Sequence, residues 1–96
     1  MREKFIEQKL VREVKKAGGL AVKFTSPGLD GMPDRLVILP ESHIAFVEVK
    51  APGGKPRPLQ LRRHELLRRL GCRVFVLDDA EQISELMSEM MGGGEV

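Results

Sequence analysis

The sequence predicts one α/β domain, a mixed sheet flanked by helices in the element order α-β-β-β-α-β-α. Three segments place apolar residues at helical spacing, and four short apolar or alternating runs lie between them, bounded by glycine and proline. The length of 96 residues allows a single small core, which a partner subunit would enlarge. Residues 1–91 are read as that one domain, and 92–96 (GGGEV) as a flexible tail.

Taken in order, Arg2 to Ala17 reads as a helix because Ile6, Leu10, Val14 and Ala17 recur on one face and Gly18-Gly19 supplies a stop. Leu20 to Phe24 is a short strand, and Thr25 to Pro33 is a loop by its Pro and Gly content. Arg35 to Leu39 and Ile44 to Lys50 are strands joined by a turn at Pro40 to His43, so they are expected to form a hairpin. Ala51 to Pro58, with three prolines and two glycines in eight residues, is irregular. Leu59 to Leu70 is the second helix. Arg73 to Leu77 is a fourth strand, and its crossover from the third makes it parallel to a neighbour. Ala80 to Met91 closes the domain as a helix with Ile83, Leu86, Met87 and Met90 inward; its methionines suit both core and subunit contact.

Composition excludes several classes. The single cysteine, Cys72, precludes an intrachain disulfide and fits a reducing compartment, where it reads as core rather than nucleophile. Apolar runs of four or five residues are too short for a membrane span, and the charged start MREKFIEQK does not read as a signal peptide, so the protein is expected to be soluble and cytoplasmic. With no Tyr or Trp and four Phe, single-strand binding on stacked aromatics is disfavoured. The net charge of +2 conceals a segregation. Lys55, Arg57, Arg62, Arg63, Arg68, Arg69 and Arg73 stand against Glu65 alone, whereas residues 74–96 hold six acids and no base. The basic stretch suits a polyanion, with Lys55, Arg57, Arg62 and Arg63 as candidate phosphate contacts, which give affinity without base specificity. The acidic stretch is expected on a face turned away from DNA.

The chemistry concentrates at the end of the third strand. Period-two alternation puts Ile44, Phe46, Glu48 and Lys50 on one face and Ala45, Val47 and Val49 on the other. Glu48 and Lys50 therefore emerge together, either as a solvated ion pair at a fraying end or as part of a site. Asp34 follows Gly31-Met32-Pro33 and begins the partner strand, so its carboxylate can approach Glu48, although an Asx-type turn is its plainer role. On a wheel of about 100° per residue, Glu7 falls inside the apolar face of Ile6, Leu10, Val11 and Val14. A buried carboxylate there must reach a cation or solvent, or the helix is rotated. Glu3 shares the face one turn earlier but can fray into water, so Glu7 is the favoured acid. Three carboxylates beside one lysine suit a hard dication such as Mg²⁺.

Gly31-Met32-Pro33-Asp34, then Glu48-Val49-Lys50, then Gln60 opening a helix after a Gly/Pro-rich loop, together resemble the compact stand-alone type of the VRR-NUC (virus-type replication-repair nuclease) family of the PD-(D/E)XK superfamily. The resemblance runs from about Glu3 to Leu77 and implies a restriction-endonuclease-like core. It implies Asp34 and Glu48 as ligands of Mg²⁺ or Mn²⁺, with the Val49 carbonyl as a third and Glu7 as the first-helix acid at the metal. It makes Lys50 the catalytic lysine and puts Gln60 near the metal or scissile phosphate, beside the plainer reading of Gln60 as an early helix residue. The implied activity is metal-dependent endonucleolytic DNA cleavage at branched structures such as four-way (Holliday) junctions, in DNA repair, by a homodimer.

Two other readings stay open, a non-catalytic nucleic-acid-binding module of the same fold and a restriction-type nuclease that reads base sequence. His43 and His64 lack partner ligands at metal-site spacing and read as surface residues or phosphate contacts. Gly53-Gly54-Lys55 lacks the spacing and the Ser/Thr of a phosphate-binding loop, so no nucleotide cofactor is expected.

Overall fold

The structure is a computed structural model, and it describes residues 2–92. The elements are α1 (Glu3–Lys16), β1 (Leu20–Lys23), β2 (Arg35–Leu39), β3 (His43–Val49), α2 (Pro58–Arg69), β4 (Val74–Leu77) and α3 (Gln82–Met90), with a single 3₁₀ turn at Pro40–Ser42. This is the order expected from the pattern, with ends displaced by one or two residues. The expected tail lies, beyond Gly92, outside the described residues.

The first helix stops because Gly18 adopts φ +88°, a left-handed conformation that costs glycine little. Its N–H donates to the Lys15 carbonyl and that of Gly19 to the Val14 carbonyl, the two bonds of a Schellman motif. The chain is thereby turned into β1.

The sheet runs β1-β2-β3-β4. Its first three strands are an antiparallel meander, and β4 joins β3 in parallel after the α2 crossover. On one face, Ile6, Leu10 and Val14 of α1 and Ile83, Leu86 and Met90 of α3 pack on Val37, Leu39, Ala45, Val47, Val49 and Leu77. Each fully buried aliphatic side chain there stabilises the fold by roughly 1.5–3 kcal/mol. Met90 is wholly within this core, so the last helix uses its methionine first as packing.

The opposite face is covered by α2 only over β3 and β4, where Gln60, His64 and Leu67 are buried. Toward β1 it is bare. The register aligns Leu20 with Ile38 and Ile44, and Val22 with Leu36 and Phe46. Leu20, Val22 and Ile44 are left 61%, 41% and 49% exposed. Among the described residues no helix is long and apolar enough to cross a membrane.

Candidate functional site

The β2/β3 register positions the site. Arg35 pairs with Val47, so one further step sets Asp34 opposite Glu48, both on the face that α2 covers. Asp34 Oδ1 accepts the Val49 backbone N–H at 3.1 Å. In an extended strand the N–H and C=O of one residue point to the same side, so the Val49 carbonyl is directed to the side of Asp34. The Lys50 N–H, by contrast, bonds the Leu77 carbonyl of β4 at 2.8 Å. The parallel crossover thus anchors the chain where the site ends.

Glu48 is 3% exposed and has three polar neighbours. Gln60 Nε2 donates to Oε2 at 3.1 Å, Lys50 Nζ lies 3.7 Å from the same oxygen, and His64 Nε2 lies 3.4 Å from Oε1. Gln60 has a second task. Its Oε1 accepts the Arg57 N–H at 2.8 Å, satisfying one of the free donors at the start of α2. One end of the amide thus caps α2 while the other holds Glu48.

Burial pushes the Asp34 carboxyl up to about 6, with the Glu48 charge adding to it and the Val49 N–H opposing. Burial also raises the Glu48 carboxyl; Lys50 opposes this and Glu3 reinforces it. Two partly desolvated carboxylates share too little positive charge. An all-oxygen donor pair in that condition fits a hard dication, which commonly takes one or two carboxylates and completes its shell with water and phosphate.

The structure brings Asp34, Glu48, Lys50 and Gln60 together; Glu7, whose charge is felt at Asp34, has another partner. Its carboxylate accepts from Arg35 on the α1 side of the sheet, with Nε and Nη2 at 3.1 and 3.0 Å from Oε2. Arg35 also donates to the Ala21 carbonyl. Glu7 has thus reached a cation, one of the outcomes its place on the wheel required. Among the described residues no group of three or more His, Cys, Asp or Glu side chains is gathered closely enough to hold a metal. Glu3, the exposed acid one turn earlier, has its charge felt at Glu48.

The basic stretch divides by use. Arg63 donates to the Asp30 carbonyl at 2.8 Å, Arg68 to that of Val74 at 2.8 Å, and Arg73 to those of Glu89 and Met90 at 3.1 and 2.8 Å. Those three guanidinium groups hold the fold's own backbone, the last at the C-terminus of α3. Lys55, Arg57, Arg62 and Arg69 are exposed. A groove on the α1 side of the sheet is lined by Lys4, Glu7, Gln8 and Arg12 of α1, Lys23 of β1 and Arg35. Its three exposed cations escaped notice in the sequence because they are scattered over twenty residues. The acids Glu85 and Glu89 flank β4 beside Leu86, on the side of α3 rather than that of Lys50.

Gly31 explains how the loop before Asp34 seats. At φ +87°, a Cβ there would lie 2.9 Å from Leu59 Cγ and 3.1 Å from Arg63 Cγ, so only glycine lets the loop close on the first turns of α2. His64 was expected at the surface and is instead 1% exposed. One turn past Gln60, it lies on the inward stripe of α2 rather than among the arginines beside it in sequence.

The arrangement has known counterparts. The VRR-NUC domain family model matches residues 3–80. A protein described as a candidate nuclease, p44, of Acyrthosiphon pisum secondary endosymbiont phage 1 is 57% identical over 86 residues, which cover 90% of this chain and 92% of that one. A solved structure of a VRR-NUC domain superposes with a TM-score of 0.83 at 39% identity, covering 90% of this chain and 94% of the other. With the family model spanning both acidic motifs and Lys50, the chain belongs to the VRR-NUC family and is a nuclease-type protein.

Proposed function

We propose that the protein is a Mg²⁺- or Mn²⁺-dependent endonuclease that cuts branched duplex DNA, such as four-way junctions, as a homodimer in DNA repair. The observation that carries this reading is the placement of Asp34 opposite Glu48 beside Lys50, at the open end of β3. Asp34, Glu48 and the Val49 carbonyl would hold the cation, which supplies Lewis-acid activation of the scissile phosphate and the attacking water. Lys50 orients that water and stabilises the charge developing on the phosphate oxygens. Either acid of α1 can serve as the first-helix acid, since the charge of Glu3 is felt at Glu48 and that of Glu7 at Asp34; Glu7 is engaged by Arg35, which leaves Glu3 the freer of the two.

DNA contact is supported on both flanks, by Lys55, Arg57 and Arg62 on one side and by Lys4, Arg12 and Lys23 on the other. Cations at these positions read phosphate rather than base. A two-fold pair of sites suits cutting two strands of a junction, and the bare apolar sheet face around Leu20 and Ile44 supports pairing.

The test is a panel of junctions, flaps, nicked and linear duplexes of scrambled sequence, incubated with Mg²⁺, Mn²⁺ or EDTA. Cleavage of branched forms irrespective of sequence, abolished by EDTA and by Lys50→Ala while DNA binding persists, is expected. Cleavage confined to one base sequence, or none with either metal, overturns the reading.

A further inference from the structure

His64 lies outside every motif that marks the family in this sequence, yet it is as buried as the aliphatic core. It stands four residues after Gln60, so the two side chains leave α2 on one face and reach different oxygens of one carboxylate. With Glu48 ionised, as a metal ligand must be, the hydrogen bond between them has Nε2–H as its donor.

Nδ1, on the other side of the ring, is buried with no hydrogen-bond partner among the described residues. A polar atom in that state destabilises the fold, and an aliphatic side chain of similar size would avoid the penalty. Leu67, on the next turn of the same stripe, shows that α2 accepts one. The imidazole is thus a structural liability, and its one polar contact is Glu48. Among the described residues, Oε2 is shared by Gln60 and Lys50, whereas Oε1 meets His64 alone. Oε1 is therefore the oxygen with a lone pair left to offer.

We propose that His64 is a positioning residue for Glu48: its Nε2–H fixes the carboxylate plane from one side while Gln60 fixes it from the other, turning Oε1 toward a bound divalent cation. The proposal rests on the reading of Asp34 and Glu48 as the metal site. Donors behind ligating carboxylates commonly control affinity by about 10- to 100-fold.

The experiment measures Mn²⁺ binding calorimetrically and thermal midpoint for wild type, Glu48→Gln, His64→Leu, His64→Met and His64→Gln. Gln carries an amide N–H close to the position of Nε2, whereas Leu and Met carry none, and the flexible Met serves if Leu perturbs packing. Expected is a loss of about 10- to 100-fold in Mn²⁺ affinity for Leu and Met with the midpoint kept or raised, and recovery to within about threefold for Gln. Leu and Met variants that fold and bind Mn²⁺ as wild type does, while Glu48→Gln does not bind, overturn the positioning role and leave the metal site standing. Wild type failing to bind, or binding unaffected by Glu48→Gln, overturns both. A fall in midpoint that Gln fails to restore along with affinity marks His64 as packing alone.

Discussion

The Asp34 carboxylate accepts the backbone N–H of Val49 at 3.1 Å, tying the residue before β2 to the last residue of β3. That bond holds Asp34 opposite Glu48 before any cation arrives, at the cost of keeping two acids close in a partly dry site. Its consequences are measurable in pH, in stability and in metal binding.

The first concerns pH. Folded Asp34 titrates near 6 against 3.8 for the ordinary carboxyl, so between those values the folded state binds more protons and its stability falls as pH rises. Asp34→Asn keeps an acceptor for Val49 and cannot titrate. Without metal it should be more stable than wild type at pH 7.5 by about 1–2 kcal/mol, allowing for partial exposure, with the gap closing toward pH 4. Urea titrations across that range check this; addition of Mn²⁺ at pH 7.5 should stabilise wild type only. A gap independent of pH would show that Asp34 is not strained by its charge.

The second separates the two acids of α1. Removing Glu7 strands the guanidinium of Arg35, which is 12% exposed, so Glu7→Ala should cost about 1–3 kcal/mol. Cleavage per folded molecule should be largely kept. Glu3→Gln, at an exposed position, should leave stability within about 0.5 kcal/mol and lower cleavage by about tenfold or more, roughly 1.4 kcal/mol. Denaturation curves and single-turnover cleavage on the same preparations decide it, and the opposite pattern would return Glu7 to the metal.

The third concerns assembly. Leu20, Ile38 and Ile44 form one row across the bare sheet face, with Val22, Leu36 and Phe46 beside it. If the proposed homodimer pairs through this face, wild type should sediment as a dimer and Leu20→Lys with Ile44→Lys as a folded monomer at the same concentration, as read by sedimentation equilibrium. Junction cutting should then nick one strand instead of two. A double variant still dimeric would place the interface elsewhere.

How far the sequence could lead is clearest from individual residues. Asp34, Glu48 and Lys50 were legible because strand alternation and hairpin register are local rules with a period of two. The Glu7–Arg35 pair was half legible: the wheel required Glu7 to reach a cation or solvent, or the helix to be rotated, but residues 28 apart reveal no pairing. His64 was misread because its sequence neighbours are charged, and only the rotation of α2 on the sheet decides which side faces in. The basic stretch was overcounted for a similar reason, since charge in a sequence does not tell a guanidinium bound to a backbone carbonyl from one facing solvent.

That distinction gives the last prediction, on two adjacent arginines. Arg62 is exposed on the outer side of α2, whereas Arg63 donates to the Asp30 carbonyl and packs against Gly31. If Arg62 meets a phosphate, Arg62→Ala should weaken DNA binding alike for all sequences and make the slope of log K against log salt shallower by about 0.9. Its thermal midpoint should not move. Arg63→Ala loosens the loop that presents Asp34, so it should lower the midpoint and Mn²⁺ affinity while leaving the salt slope nearly unchanged. Fluorescence anisotropy on a labelled junction from 50 to 200 mM salt, beside thermal melts of both variants, separates the two roles. Equal slopes for Arg62→Ala and wild type would remove that face of α2 from the DNA path and leave Lys55 and Arg57 as the contacts on this flank.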